Sequence, residues 1–307
     1  MFFHPPKDIP TTVFARLPDA LRRSNEDNEW VRHQAAGGPV SSLLEGPSFD
    51  RDGTLWCVDV LNGAIYRIGP DGVFHVAAQY DGWPNGLKIH RDGRIFIADY
   101  KNGIMLLDPV NGKVSPYLVR ANLERFKAIN DLFFAANGDL YFTDQGQTGL
   151  HDPSGRLFRV TAADRVDCLL DKVASPNGLV MNLDESALYL AVTRGNCIWR
   201  VPLLRDGGVA KVGVFVQMSG GAGPDGLALD GEGRLAIAHA GMGAVWVVDR
   251  QGEPVYRVRS CTGLMTTNAA FGGPEGKTLF ITESGSGTIL KADLDVAGKP
   301  MFSHQPG

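Results

Sequence analysis

Apolar residues recur along this chain in short alternating runs of five or six, separated by turns rich in Asp, Asn and Gly. Examples are GAIYRI (63–68), GIMLLD (103–108), RLFRV (156–160), AVWVVD (244–249) and TILKAD (288–293). A period of two with Ile, Val, Tyr, Phe and Trp predicts half-buried β-strands. No stretch holds a 3.6-residue apolar period long enough for helical repeats. The runs fall into six similar units: EGPSFDRDGTLWCVD from Glu45, NGLKIHRDGRIFIAD from Asn85, NDLFFAANGDLYFTD from Asn130, NGLVMNLDESALYLAV from Asn177, DGLALDGEGRLAIAH from Asp225 and NAAFGGPEGKTLFITE from Asn268. Successive units start 40, 45, 47, 48 and 43 residues apart, the spacing of four-stranded propeller blades. The first turn of each unit carries D-G, N-G, D-E or G-E, the chemistry of a tight antiparallel reversal. The pattern therefore predicts an all-β protein, a six-bladed propeller with four-stranded antiparallel blades.

Residues 1–42 precede the repeat and read as an N-terminal extension; residues 43–307 read as one propeller domain. The last unit lacks a clear fourth strand. A ring is closed when a terminus supplies one, and TTVFARL (11–17) or EWVRHQ (29–34) is expected to do so. The polar stretch RRSNEDNE (22–29) reads as a surface loop.

Register gives the repeat its chemistry. The aligned first positions are Glu45, Asn85, Asn130, Asn177, Asp225 and Asn268. Each precedes the innermost strand of its blade, so rotation about the axis turns the column into a ring of oxygens in the channel mouth. Asn-Gly and Asp-Gly are ordinary turn dipeptides, but Glu45 has no turn preference, and six in register point to a site. Carboxylate and amide oxygens suit a hard divalent cation, Ca²⁺ foremost, with Mg²⁺ or Mn²⁺ next. Zn²⁺ prefers the His and Cys ligands that the column lacks and stands last. Second-strand ends rim the same opening: Asp59, Asp99-Tyr100, Asp144-Gln145, Thr193-Arg194, His239 and Glu283-Ser284. They are substrate-contact candidates, although aspartates in such places also serve by accepting loop amides. Lys127, in RFKAIND (125–131), adds a candidate cation, and His239 a candidate proton carrier.

Composition narrows the classes. A net charge of −4 and a pI of about 6.0 argue against a nucleic-acid binder. No apolar run approaches the ~18 residues that span a bilayer, and MFFHPPKDIP does not read as a signal peptide, so a cytoplasmic protein with a small-molecule partner is expected. Cys57, Cys168, Cys197 and Cys261 form no C-x-x-C and read as free buried thiols. No H-E-x-x-H, G-x-S-x-G or G-x-x-x-x-G-K-[ST] occurs.

The motifs LLEGPSFD, KAINDLFF, SPNGLVMN and GPDGLALD resemble those of the SMP-30/gluconolactonase family, over about residues 43–295. The resemblance implies a six-bladed propeller with one divalent cation in its channel, and a lactonase-type activity. Related propellers hydrolyse organophosphates, so a phosphotriesterase is the alternative activity and a calcium-binding scaffold the non-catalytic one. By motif, the cation ligands are Glu45, Asn177 and Asp225, with Asn130 as a further or substrate-side ligand. Asp225 is the implied general base. Asn85 and Asn268 share the column without being standard ligands, and join Lys127, Asp144, Gln145 and His239 as substrate-side candidates. Where sugar lactonases of the family often carry arginine, two residues before the INDL asparagine, this chain has Ala128.

Overall fold

The computed structural model describes residues 5–24, 28–34 and 41–305. Apart from a short hairpin of Arg120–Ala121 with Glu124–Arg125, its strands form six sheets around one axis, each running from the centre outwards. Blade 1 comprises Leu44–Phe49, Leu55–Asp59, Ala64–Ile68 and Phe74–Gln79. Blade 2 comprises Pro84–Ile89, Ile95–Asp99, Gly103–Leu107 and Val114–Leu118. Blade 3 comprises Ile129–Phe134, Leu140–Asp144, Gly155–Val160 and Val166–Val173. Blade 4 comprises Pro176–Met181, Ala187–Val192, Cys197–Pro202 and Gly213–Gln217. Blade 5 comprises Gly223–Leu229, Leu235–Ala240, Ala244–Val248 and Pro254–Arg259. Blade 6 has Thr266–Gly272, Thr278–Glu283 and Thr288–Asp293 from its own repeat.

The fourth strand of blade 6 is Thr12–Arg16, antiparallel to Thr288–Asp293. Glu29–Arg32, inside the other segment considered for closure, is a short helix capped by the Asn28 side chain. Just before the closing strand, Lys7–Pro10 adds a fifth, parallel strand to the outside of blade 5, which the repeat did not foretell. Asp8 holds it there through both carboxylate oxygens on Arg257. The chain thus passes from the edge of one blade to the edge of the next within a single extended run.

Burial follows position in the blade. Second strands such as Leu55–Asp59, Ile95–Asp99 and Leu140–Asp144 are buried at every residue, because neighbouring blades cover both their faces. This is why they read as nearly continuous apolar runs. Outer strands such as Val114–Leu118 and Gly213–Gln217 stay half-exposed. Of the four cysteines expected to be buried, only Cys57 and Cys197 are; Cys168 and Cys261 are exposed, because they lie on or beside outer strands. Side chains from adjacent blades interlock between them: Leu17, Leu44, Phe49 and Phe280 join blade 6 to blade 1. At the far end of the channel, the segment Lys299–Phe302 lies over the ends of the innermost strands. It bounds a mainly apolar cavity of about 70 Å³ with Ser48, Phe134, Val180, Leu229 and Ala270.

Candidate functional site

Every innermost strand breaks its pairing register where the column residue lies or beside it. The shifts fall between Glu45 and Ser48, Pro84 and Gly86, Ile129 and Leu132, Pro176 and Leu179, Pro224 and Leu227, and Thr266 and Asn268. Bulges bend a strand and re-aim its side chains. Six of them at one height place the column residues at the channel mouth.

Direct contacts then join residues far apart in sequence. The Asn268 amide donates to Glu45 Oε2 at 3.0 Å and approaches Asp131 Oδ2 at 3.5 Å. Its own Oδ1 accepts the Ala269 N–H, so Asn268 presents hydrogens, not oxygen, to the carboxylates. Asn177 hydrogen-bonds Asp225. Asn130 donates through Nδ2 to Gln145 Oε1 at 3.0 Å, and Gln145 donates onward to Ser175 Oγ at 3.0 Å. Asn85 is buried at its place in the column. Its backbone carbonyl faces Gly46 of blade 1.

Asp131 escaped the sequence reading. In the position after the column residue the six units carry Gly46, Gly86, Asp131, Gly178, Gly226 and Ala269. The glycines are steric: a Cβ on Gly226 would sit 2.0 Å from Asn268 Oδ1, and one on Gly178 would sit 2.4 Å from the Asp225 carbonyl oxygen. An aspartate in a column of small residues was the signal available, and it brings a third carboxylate to the axis.

Burial and mutual repulsion set the electrostatics. Glu45 is pushed up to about 7, mainly by burial, with the charge of Asp131 adding to it. Burial also raises Asp131. Asp225 is raised well above the usual carboxylate range by burial and by the charges of Glu45 and Asp131. Asp225 nevertheless keeps part of its surface open, whereas Glu45, Asn130, Asp131 and Asn177 are buried.

The second-strand ends divide differently. Asp59 Oδ1 accepts the Leu43 N–H, Asp99 Oδ1 that of Trp83, Asp144 Oδ1 that of Ala128, and Glu283 Oε1 that of Met265. Each acceptor therefore holds the loop that enters the innermost strand of its own blade. Asp144 is also paired with Arg156 and is fully buried. Its oxygens serve the chain, which favours the loop-holding reading of this residue over substrate contact. Lys127 is exposed but donates to Ser154 Oγ at 2.8 Å. His239 is buried, with Nε2 on the Gly220 carbonyl at 2.9 Å and Nδ1 unpaired. It braces the loop before Asp225 and does not line the mouth. Gln145 meets Asn130 and the loop that delivers Asn177.

The donor set fits a hard cation. Three carboxylates that burial makes costly to ionise share one axial region with the amides of Asn130 and Asn177. A divalent cation relieves that cost and takes carboxylate and amide oxygens together. Among the described residues, no group of three His, Cys, Asp or Glu side chains is placed to hold a metal ion by itself.

Fold and site together define a six-bladed propeller with a carboxylate–amide centre at the mouth of its channel. The chain belongs to the SMP-30/Gluconolactonase/LRE-like family, whose model matches residues 43–285. Lactonase drp35 of Staphylococcus aureus is 30% identical over 226 residues, 70% of this chain and 69% of the relative. Lactonase drp35 of Staphylococcus epidermidis is 29% identical over 242 residues, 75% of this chain and 72% of the relative. Among solved structures, a calcium-binding regucalcin from Agrobacterium tumefaciens superposes with a TM-score of 0.77 at 24% identity, covering 98% of this chain and 99% of that one. A gluconolactonase from Xanthomonas campestris gives 0.74 at 21% identity, covering 96% and 99%. These likenesses establish the propeller fold.

Proposed function

We propose that this protein is a cation-dependent lactonase that opens a small lactone at the channel mouth. The observation that carries the proposal is the convergence of Glu45, Asp131 and Asp225 with Asn130 and Asn177, Asp225 alone keeping an open face. The lactonase relatives support the substrate class. Glu45, Asn177 and Asp225 would hold the cation, with the free Oδ1 of Asn130 as a further donor. A divalent ion bound there supplies polarisation of a carbonyl oxygen and a lowered pKa for water.

The chain's own residues do the rest. Asp225, the one of the three carboxylate residues that is not fully buried, accepts the proton of the attacking water. That proton is then available to the alkoxide leaving group, which departs when the ring C–O bond breaks. Asn177 orients the Asp225 carboxylate, and Gln145 orients Asn130 from behind. Asn268 bridges Glu45 and Asp131, keeping the two carboxylates at fixed separation. The channel's far end is covered by Lys299–Phe302, so substrate enters and leaves past Asp225.

The test is hydrolysis of aldonolactones, aliphatic lactones and aromatic lactones after chelation, with Ca²⁺, Mg²⁺, Mn²⁺ or Zn²⁺ restored in turn. Cation-restored turnover that falls about 10²–10⁴-fold in Asp225→Ala, with an unchanged circular dichroism spectrum, is expected. Turnover that survives either chelation or the substitution overturns the mechanism. Turnover of phosphotriesters without lactones overturns the substrate class.

A further inference from the structure

Arg194 stands on the same rim as Asp225. It lies in the 3-10 turn Thr193–Gly195 that ends the second strand of blade 4. This turn is locked against the residues that lead into Asp225. Thr193 Oγ1 donates to the Pro224 carbonyl at 2.8 Å. Gly223, at φ +123°, lets the Thr193 carbonyl come so near that a Cβ there would stand 2.1 Å from it. Asn196, just past the turn, donates to the Gly220 carbonyl at 2.9 Å. The backbone of Arg194 is thereby fixed one blade away from Asp225.

The side chain is exposed and weakly committed. Its one hydrogen bond among the described residues is Nη1 to the Ala222 carbonyl, at 3.5 Å. The stem passes close to Gly149 of blade 3, and the charge is felt both at Asp225 and at Tyr100 of blade 2. Three neighbouring cations are engaged: Lys127 with Ser154, Lys101 with Asp81, and Arg156 with Asp144. Ala128, which enters the innermost strand of blade 3, brings no charge at all.

We propose that Arg194 is a specificity-determining residue that holds a carboxylate on the substrate, so that the preferred lactones carry an acid group on the ring. This rests on the lactonase reading of the mouth. Three ionised carboxylates outnumber the charge of one divalent cation, so the depth of the site stays unfavourable to a further anion. An acidic lactone can enter only with its neutral ester inward and its acid outward. A guanidinium fork at the rim meets that outward acid with two parallel charge-assisted hydrogen bonds.

The test pairs 5-oxotetrahydrofuran-2-carboxylate with its neutral amide, in the cation-loaded protein and in Arg194→Met and Arg194→Lys. For the acid, kcat/KM is expected to fall about 10–100-fold in Arg194→Met, the worth of a charged hydrogen bond. The loss should appear in KM, with a smaller loss in Arg194→Lys and the amide unchanged within about twofold. Equal losses on acid and amide, or none on the acid, overturn the proposal. Calorimetric titration with tetrahydrofuran-2-carboxylate, which has no ester to open, separates this from the lactonase reading. Tight binding that weakens by the same factor in Arg194→Met supports the anion site even if neither lactone is turned over, an outcome that would sink only the lactonase reading. No binding by the wild type sinks the anion site whatever the lactones do.

Discussion

At the scale of single residues, chemistry and support lie side by side in the mouth. His239 shows the difference. Its imidazole is sealed beneath the Met218–Ala222 loop, and burial holds its pKa below the ordinary 6.5. The unfolded chain therefore binds a proton on acidification that the folded chain refuses, so stability falls as pH drops below about 6.5. The stability advantage of wild type over His239→Gln, from melting curves, is expected to shrink between pH 7.5 and pH 5. An advantage that grows would show that the imidazole takes up a proton in place. The oxygen column was legible in the sequence because six units shared one register. The orientation of Asn268 was not, since its donors turn to Glu45 and Asp131 only through contacts across the axis. Asp131 was hidden for the same reason: its importance depends on charges from blades 1 and 5.

At the scale of elements, the blades repeat a device that the alignment could not assign. The acidic residue ending a second strand holds the loop into the first strand of its own blade. Asp99 is the fullest case, accepting from the N–H groups of Trp83, Lys101 and Asn102 and from the Tyr80 hydroxyl. Asp99→Ala leaves those donors without their acceptor and is expected to cost at least about 2 kcal/mol in urea unfolding. Asp81→Ala, which removes an exposed partner of Lys101, should cost under about 1 kcal/mol. Equal costs would contradict this reading of the column. Strand order and turn positions were readable from alternation and Asp-Gly or Asn-Gly spacing. The bulges were not, because an extra residue in a strand leaves the apolar pattern nearly intact while it re-aims the side chains.

At the scale of the whole molecule, the ring is one cooperative object only when its first strands sit on its last blades. Leu17, fully buried just after the closing strand, fills the seam between blades 6 and 1. Leu17→Ala is expected to cost about 2–5 kcal/mol, measured by denaturant unfolding. A chain lacking residues 1–17 exposes the outer edges of Pro254–Arg259 and Thr288–Asp293 and should melt lower and scatter light on heating. Blade number followed from counting repeats. The double attachment did not, since Lys7–Pro10 carries no repeat signature and its hold depends on Asp8 meeting Arg257 and Arg259.

That attachment also orders events in time. The segment Lys7–Arg16 leaves the ribosome well before its partners, Pro254–Arg259 and Thr288–Asp293. At roughly 5–20 residues per second, the nascent chain carries an unpaired strand for about ten seconds to just under a minute. Five blades can stack meanwhile, but the seam stays open until the final repeat emerges. The cell therefore meets this protein first as an open arc with two bare edges. The Lys, Arg and Pro residues in and beside Lys7–Arg16 suit a strand that must wait so long without pairing elsewhere.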